Sequence, residues 1–326
     1  MNGDFENIPC ESGKNYCLYN GDCVEVTGKL PDESVDFMVF SPPFANLYIY
    51  SDDIRDMGNC KDEQDFFRQY DYLTEQLYRI LRTGRLMAVH CKQIVRYKGR
   101  DGVAGWTDFR GDLIRHYEAH GFTYHSEVVI WTDPVLEMQK TKTQRLLYCQ
   151  LRRDASHTGI GMPEYLLIFR KWDEAKEAEE IPIRHYANAK EAEKDGGDIS
   201  QIMPLETWQK YARPVWFDIK RTDVLNAKSA RDEHDEKHIC PLQLPVIERA
   251  IDLWSNPGEV VLTPFMGIGS EAYMAVKMGR KAVGIELKES YFRQAVANVK
   301  SITDNGQTDL FGMIDGGNVG GGGNAS

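Results

Sequence analysis

The stretch Val35-Asp36-Phe37-Met38-Val39-Phe40-Ser41-Pro42-Pro43-Phe44 is a short, nearly continuous apolar run that stops at two prolines. Such a run reads as a buried strand. Proline fixes φ and has no N–H, so Pro42 and Pro43 cannot extend a sheet ladder, and the residue before each is held extended. The outcome is a stiff loop at a strand's carboxyl edge, with a hydroxyl at one end and an aromatic ring at the other. In open α/β sheets that edge is where ligands bind.

The surrounding chain has the rhythm of an α/β sheet. Asp62 to Leu81 carries Phe66, Phe67, Tyr70, Leu73, Leu77 and Ile80 at helical spacing. Arg82-Thr83-Gly84-Arg85 reads as a glycine stop, and Leu86 to His90 as the next buried strand. Asn15 to Val26 reads as a strand broken by a turn at Asn20-Gly21-Asp22, Thr107 to His120 as a helix, and Tyr124 to Trp131 as a strand. From Pro134 to about His238 the rhythm fades, except for a core strand at Tyr165 to Phe169. The remainder of that region reads as an insertion on the α/β platform. A helix at Pro245 to Trp254 then restores the pattern.

A second motif stands more than 200 residues after the first. Glu259 to Leu262 reads as a strand, Thr263-Pro264-Phe265-Met266-Gly267-Ile268-Gly269-Ser270 as a glycine-bearing loop and Glu271 to Met278 as a helix. Lys281 to Ile285 is a further strand ending at Glu286. Strand, G-x-G loop, helix, strand and an acid about twenty residues on form a nucleoside-binding βαβ unit. Gly267 and Gly269 permit close backbone approach, and Glu286 is placed to accept ribose hydroxyls. A dinucleotide is disfavoured, because the third fingerprint position is Ala272 and Pro264-Phe265 crowds the space a pyrophosphate needs.

Bulk properties set limits. The 326 residues are 42% hydrophobic, enough for a large core, and no run reaches the length of a membrane span. Seven scattered cysteines without a C-x-x-C pair point to a reducing cytoplasm, without a disulfide framework or an obvious zinc site. His234-Asp-Glu-Lys-His238-Ile-Cys240 reads as a turn before a helix. The net charge of −11 is unevenly spread. Arg79 to Arg100 holds seven Lys/Arg and Lys140 to Arg153 five, with no Asp/Glu in either run. A locally basic groove on an acidic protein is compatible with nucleic acid.

Ser-Pro-Pro-Phe early, an insertion in the middle and Pro-Phe-x-Gly-x-Gly late resemble the β-group of DNA amino-methyltransferases. In that permuted family the catalytic half precedes the S-adenosylmethionine half. The resemblance implies a Rossmann-like α/β sheet with helices on both faces. It divides the chain into a catalytic half at 15–133, an inserted target-recognition region at 134–237, a cofactor half at 238–303 and a flexible tail at 304–326. Ser41, Pro42, Pro43 and Phe44 fall at the catalytic tetrapeptide. Asp22, Thr263, Pro264, Phe265, Gly267, Gly269, Ser270 and Glu286 fall at the cofactor-binding positions, with Thr263 where the family has aspartate. No metal is implied. The resemblance further implies duplex DNA as the partner, a bacterial or phage-infected cell, a cytoplasmic restriction-modification setting, and a monomer or homodimer.

Serine at the first tetrapeptide position resembles the cytosine-N4 members, with adenine-N6 methylation as the alternative. Carbon-5 methylation needs a covalent cysteine, and the only Pro-Cys, Pro9-Cys10, precedes every motif. An RNA or small-molecule methyltransferase, or a catalytically silent DNA-binding scaffold, are further readings of the same fold. Gln307-Thr308-Asp309-Leu310-Phe311 resembles short peptides that dock on the bacterial DNA sliding clamp, which implies an extended segment offering leucine and phenylalanine anchors.

Overall fold

Strand alternation places Phe37 and Val39 on one face of the sheet and Met38 and Phe40 on the other, and both faces are covered. This is seen in a computed structural model that describes residues 5, 8–44, 55–141, 144–172, 182–225 and 241–315, with side chains omitted at 140, 141, 144 and 304–315. Its strands are β1 (Cys10–Gly13), β2 (Tyr16–Asn20), β3 (Val35–Phe40), β4 (Leu81–Lys92), β5 (Ile94–Arg96) and β6 (Gly105–Thr107). They continue with β7 (Phe122–Ile130), β8 (Glu164–Lys171), β9 (Val215–Trp216), β10 (Val260–Thr263) and β11 (Lys281–Glu286). Nine form one sheet in the order β1-β2-β11-β10-β3-β4-β8-β7-β9, while β5 and β6 pair separately. From β2 through β4 the neighbours are parallel, and β8 enters antiparallel between β4 and β7.

The helices are α1 (Cys23–Lys29), α2 (Glu63–Ile80), α3 (Lys98–Asp101), α4 (Phe109–Ala119), α5 (Pro134–Thr141), α6 (Tyr148–Arg153), α7 (Ala189–Asp195), α8 (Leu205–Tyr211), α9 (Leu244–Trp254), α10 (Ser270–Lys277) and α11 (Glu289–Asp315). The apolar stripes of α1, α2 and α4 cover the Met38 face through Val26, Phe66, Tyr70, Leu73, Phe109 and Tyr117. Those of α9, α10 and α11 cover the Phe37 face through Val246, Ile247, Ala250, Met274, Ala275 and Ala295. The expected sheet with helices on both faces is thus observed. Asp36, the one polar residue of the apolar run, stitches neighbours together. It accepts the Val260 N–H at 2.9 Å and pairs with Arg82 at 2.6 Å.

Several elements differ from the sequence reading. Gly84 does not stop a helix. Strand β4 begins at Leu81, and Gly84, at φ +81°, lies in an irregular stretch where the register against β3 shifts. Asp22 opens helix α1, accepting the Glu25 N–H at 2.9 Å, so Val26 lies in a helix and not in a strand. The region 134–237 contributes β9, with Trp216 buried, to the main sheet in addition to the expected strand β8, so its non-sheet parts are three separate stretches. Helix α11 runs past 303 to Asp315, where a flexible tail was expected. Gln307 to Phe311 therefore falls on helical backbone, with its side chains outside the described residues. Residues 234–240 lie outside them entirely. Among the described residues no helix is long and apolar enough to cross a membrane.

Candidate active site

Because β2, β11, β10, β3 and β4 are parallel, their carboxyl ends share one edge, and the antiparallel β8 brings its amino end to the same place. A cavity of about 330 Å³ opens there. Ser41, Pro42, Pro43 and Phe44 line one side of it, and Pro264, Phe265, Gly267, Ser270 and Glu286 line the other. The two motifs, separated by most of the chain, follow the paired strands β3 and β10 and line a single cavity.

The Ser41 wall carries a hydrogen-bonded chain. Ser41 Oγ lies 2.8 Å from His90 Nδ1, and His90 Nε2 lies 3.1 Å from Glu164 Oε2. Gln243 donates to the same carboxylate oxygen at 3.1 Å. His90 and Glu164 are both buried. Burial alone would raise the Glu164 carboxyl, but the hydrogen bond from His90, aided by Lys92 and Gln243, holds it down to about 2. An ionised Glu164 only accepts, so Nε2 of His90 carries a proton. In the neutral ring Nδ1 is then an acceptor. The Ser41 hydroxyl accordingly gives its proton to His90 and turns its lone pairs to the cavity.

Phe44 stands beside this chain, half-buried, edge-on to Phe109 at 6.0 Å with the Lys92 ammonium 5.9 Å from its ring. Phe265 continues the aromatic lining, stacked on Tyr70 at 6.3 Å and tilted against Phe40 at 6.0 Å. Residues 45–54, the aromatic stretch after Phe44, lie outside the described residues.

The opposite wall is built around Glu286, the last residue of β11. Its carboxylate accepts the N–H groups of Gly267 and Lys288, each at 2.8 Å. Burial pushes its pKa up to about 7 against the pull of those amides. Asn20 clamps the turn, donating to the Glu286 and Leu287 carbonyls at 2.8 and 3.1 Å. Asp22, on α1, also reaches the cavity. Gly267 has φ +53° and open space where a Cβ would stand, so a ligand can approach the backbone there. The hydroxyl of Ser270 is buried, lines the cavity and has no hydrogen-bond partner among the described residues. Glu271 is a second buried polar lining residue, its carboxyl raised to about 8 by burial.

Two expected cofactor contacts sit behind the wall. Thr263 is buried at the end of β10 with its hydroxyl unpartnered among the described residues. Gly269 precedes α10 at φ +87°, where a Cβ would meet Ala295 Cβ at 2.9 Å, so its role is helix packing. Sequence reasoning missed His90, Glu164, Gln243 and Glu271. For His90 a signal existed, since a titratable residue near the carboxyl end of a core strand belongs at the ligand edge.

The basic runs divide along the same line. Arg79, Arg82 and Arg85 are spent at the opposite edge of the sheet on Asp32, Asp36 and Glu259. Lys92 lines the cavity. Beyond it, Arg145 of the second run lies 5.6 Å from the Trp106 ring of the β5–β6 hairpin, so the later part of the first run and the start of the second adjoin.

The model of the DNA methylase family, covering N6 and N4 methyltransferases, matches residues 35–297. The chain is 27% identical over 299 residues to the type II methyltransferase M.BglII of Bacillus subtilis, covering 89% of this chain and 71% of that protein. It is 24% identical to the type II methyltransferase M.BamHI of Bacillus amyloliquefaciens, covering 83% of this chain and 54% of that one. In fold it is similar to the DNA modification methylase TTHA0409 of Thermus thermophilus complexed with S-adenosyl-L-methionine. That match has TM-score 0.58 and 22% identity, and covers 85% and 90% of the two chains. It is also similar to the PvuII DNA methyltransferase (cytosine-N4-specific), with TM-score 0.53, 16% identity and coverage of 92% and 94%.

Proposed function

Since the chain belongs to the DNA methylase family, whose methyl donor is S-adenosylmethionine, we propose that its target is the exocyclic N4 amine of a cytosine flipped out of duplex DNA. The observation that carries this reading is the Ser41 hydroxyl, held as an acceptor by His90 and Glu164 at the floor of a two-walled cavity.

An amine conjugated with a nucleobase ring is a poor nucleophile, because its lone pair is delocalised. Ser41 Oγ and the Pro42 carbonyl accept hydrogen bonds from that amine and favour the pyramidal nitrogen that attacks. The rigid Pro42-Pro43 backbone keeps both acceptors in place without reorganisation. Phe44 offers an apolar face for the extruded base. As the nitrogen gains a carbon it must lose a proton. Ser41 takes that proton while passing its own to His90, and Glu164 stabilises the resulting imidazolium.

The opposite wall fits the methyl donor. Glu286 accepts the ribose hydroxyls, Gly267 admits the ligand to the backbone, and the unpartnered Ser270 hydroxyl acquires a partner. When bound, S-adenosylmethionine supplies an electrophilic methyl group. Arg145 and the basic residues beyond Lys92 provide phosphate contacts for the duplex.

Serine in place of aspartate favours cytosine, since the cavity then holds no carboxylate at the first tetrapeptide position. Nucleoside mass spectrometry of unmodified duplex DNA, incubated with protein and S-adenosylmethionine, tests the proposal. N4-methylcytosine is expected. N6-methyladenine would overturn the base assignment, and an unmodified product would overturn the activity on duplex DNA.

A further inference from the structure

On the outer side of the Met38 face, away from the cavity, three side chains converge. His116, on α4, and His120, the C-cap of that helix, stand one turn apart, and Asp71 faces them from α2. The Asp71 Oδ1 atom lies 3.5 Å from His116 Nδ1 and 3.4 Å from His120 Nε2.

Second contacts fix which ring nitrogens carry protons. Thr74 Oγ donates its single proton to the Tyr70 carbonyl at 2.9 Å, so toward His116 Nε2, at 2.7 Å, it can only accept. Nε2 of His116 is therefore protonated. His120 Nδ1 faces the His116 carbonyl at 2.8 Å, so it too carries the proton. In the neutral rings, Nδ1 of His116 and Nε2 of His120 are bare lone pairs, and both are aimed at a carboxylate oxygen. Three electron-pair donors lie within 4.8 Å of one another.

A proton on either ring would make a charge-assisted hydrogen bond, which draws nitrogen and oxygen to about 2.7–2.9 Å. The observed separations of 3.4 and 3.5 Å are longer. They match the edge of a tetrahedron of metal–ligand bonds near 2.05 Å, which is about 3.4 Å. Each histidine also has its other nitrogen anchored to an acceptor, the usual support for a metal-binding imidazole.

We propose that Asp71, His116 and His120 bind one borderline divalent cation of the zinc class, with solvent completing the coordination through the half-exposed Asp71. Two imidazoles favour zinc, cobalt or nickel over magnesium and calcium. The cation pins α2 to α4. Behind it those helices are joined by the Tyr70–Tyr117 hydroxyl contact at 2.6 Å, and they carry Phe109 and Tyr70 against Phe44 and Phe265. The site is a structural clamp behind the aromatic wall, with no part in methyl transfer.

Isothermal titration of the full-length, untagged, metal-stripped protein with zinc chloride tests this. One saturable equivalent is expected, lost in His120→Asn and unaffected by excess magnesium. Thr74→Val, which frees the His116 tautomer, should weaken it roughly tenfold. At a hundredfold excess over Kd, zinc should raise the Tm by roughly 4 °C in the wild type and not in His120→Asn. His120→Asn should retain DNA methylation in metal-free buffer, which shows that the variant is folded. An isotherm unchanged in His120→Asn, full competition by magnesium, or no saturable binding in the wild type would each overturn the proposal.

Discussion

The two walls of the cavity are finished to different degrees. On the Ser41 wall, Ser41, His90 and Glu164 form a hydrogen-bonded chain that the Gln243 amide N–H joins, with Gln243 Oε1 left without a partner among the described residues. On the Glu286 wall, Ser270 has a buried hydroxyl without a partner, and Glu271 and Glu286 have carboxyls raised by burial. A satisfied chain is rigid and preorganised for a transition state. Unsatisfied buried groups cost free energy until a ligand meets them. On the proposed reading, the protein holds its chemistry ready on one side and leaves the other to be completed by the methyl donor. If so, substitutions on the two walls should separate into effects on turnover and effects on binding.

The largest break belongs to the Ser41 wall. Ser41→Ala should lower kcat roughly 10²–10³-fold, the range for losing one preorganised polar group. The Kd for S-adenosylmethionine, read by calorimetry, should stay within about twofold of wild type, because Ser41 belongs to the target side. His90→Ala should follow the same pattern, since it leaves the hydroxyl in place but frees its rotor. Equal losses in kcat and in donor affinity would erase the distinction between the walls.

The asymmetry also governs what the sequence discloses. The Glu286 wall is local: strand, loop, helix and strand run consecutively from Val260 to Glu286, so spacing alone reveals it. The Ser41 wall is local only as far as the tetrapeptide. Its support comes from His90, in a strand 49 residues on, and from Glu164, 74 residues further, which arrives because β8 runs antiparallel. Neither the antiparallel insertion nor the pairing of His90 with Glu164 has a period or spacing to detect. Thr263 and Gly269 show the converse: motif position suggests contact, while the structure places both outside the cavity lining, Gly269 packed against α11 and Thr263 buried. Sheet and helix order, set by apolar alternation, were legible. The strand start at Leu81 and the helix cap at Asp22 were not, because tertiary pairing and a single side-chain hydrogen bond decided them.

A smaller effect is expected on the donor side. Glu286→Ala should weaken S-adenosylmethionine roughly tenfold or more, while kcat at saturation changes little. The wild type should also show a pH dependence, because burial raises Glu286 to about 7. Only the carboxylate accepts both ribose hydroxyls. As pH falls through about 7 the group protonates, and donor affinity should drop up to roughly tenfold per unit. Calorimetry at pH 6, 7 and 8 reads this directly. A flat profile in the wild type would mean that the amides of Gly267 and Lys288 already hold the group ionised, and the wall would be more complete than proposed.

The smallest effect concerns stability without any ligand, and it asks whether the unfinished wall carries a measurable cost. Glu271 is buried in the first turn of α10, and burial raises its carboxyl to about 8. In the unfolded chain the same group titrates near the ordinary glutamate value of about 4.3. Between those two values the folded state holds a proton that the unfolded state has released. Stability should therefore be full at low pH, fall as pH rises toward 8, and level off above it. Glu271→Gln keeps the shape and the hydrogen-bonding edge but removes the titration. The variant should be the more stable protein, by on the order of 2 kcal/mol at pH 8 and by little near pH 5. Thermal melts of the donor-free protein across that range measure the gap. Parallel Tm profiles for the two proteins would show that the Glu271 carboxyl finds compensation in the folded state, and that the asymmetry between the walls rests on Ser270 and Glu286 alone.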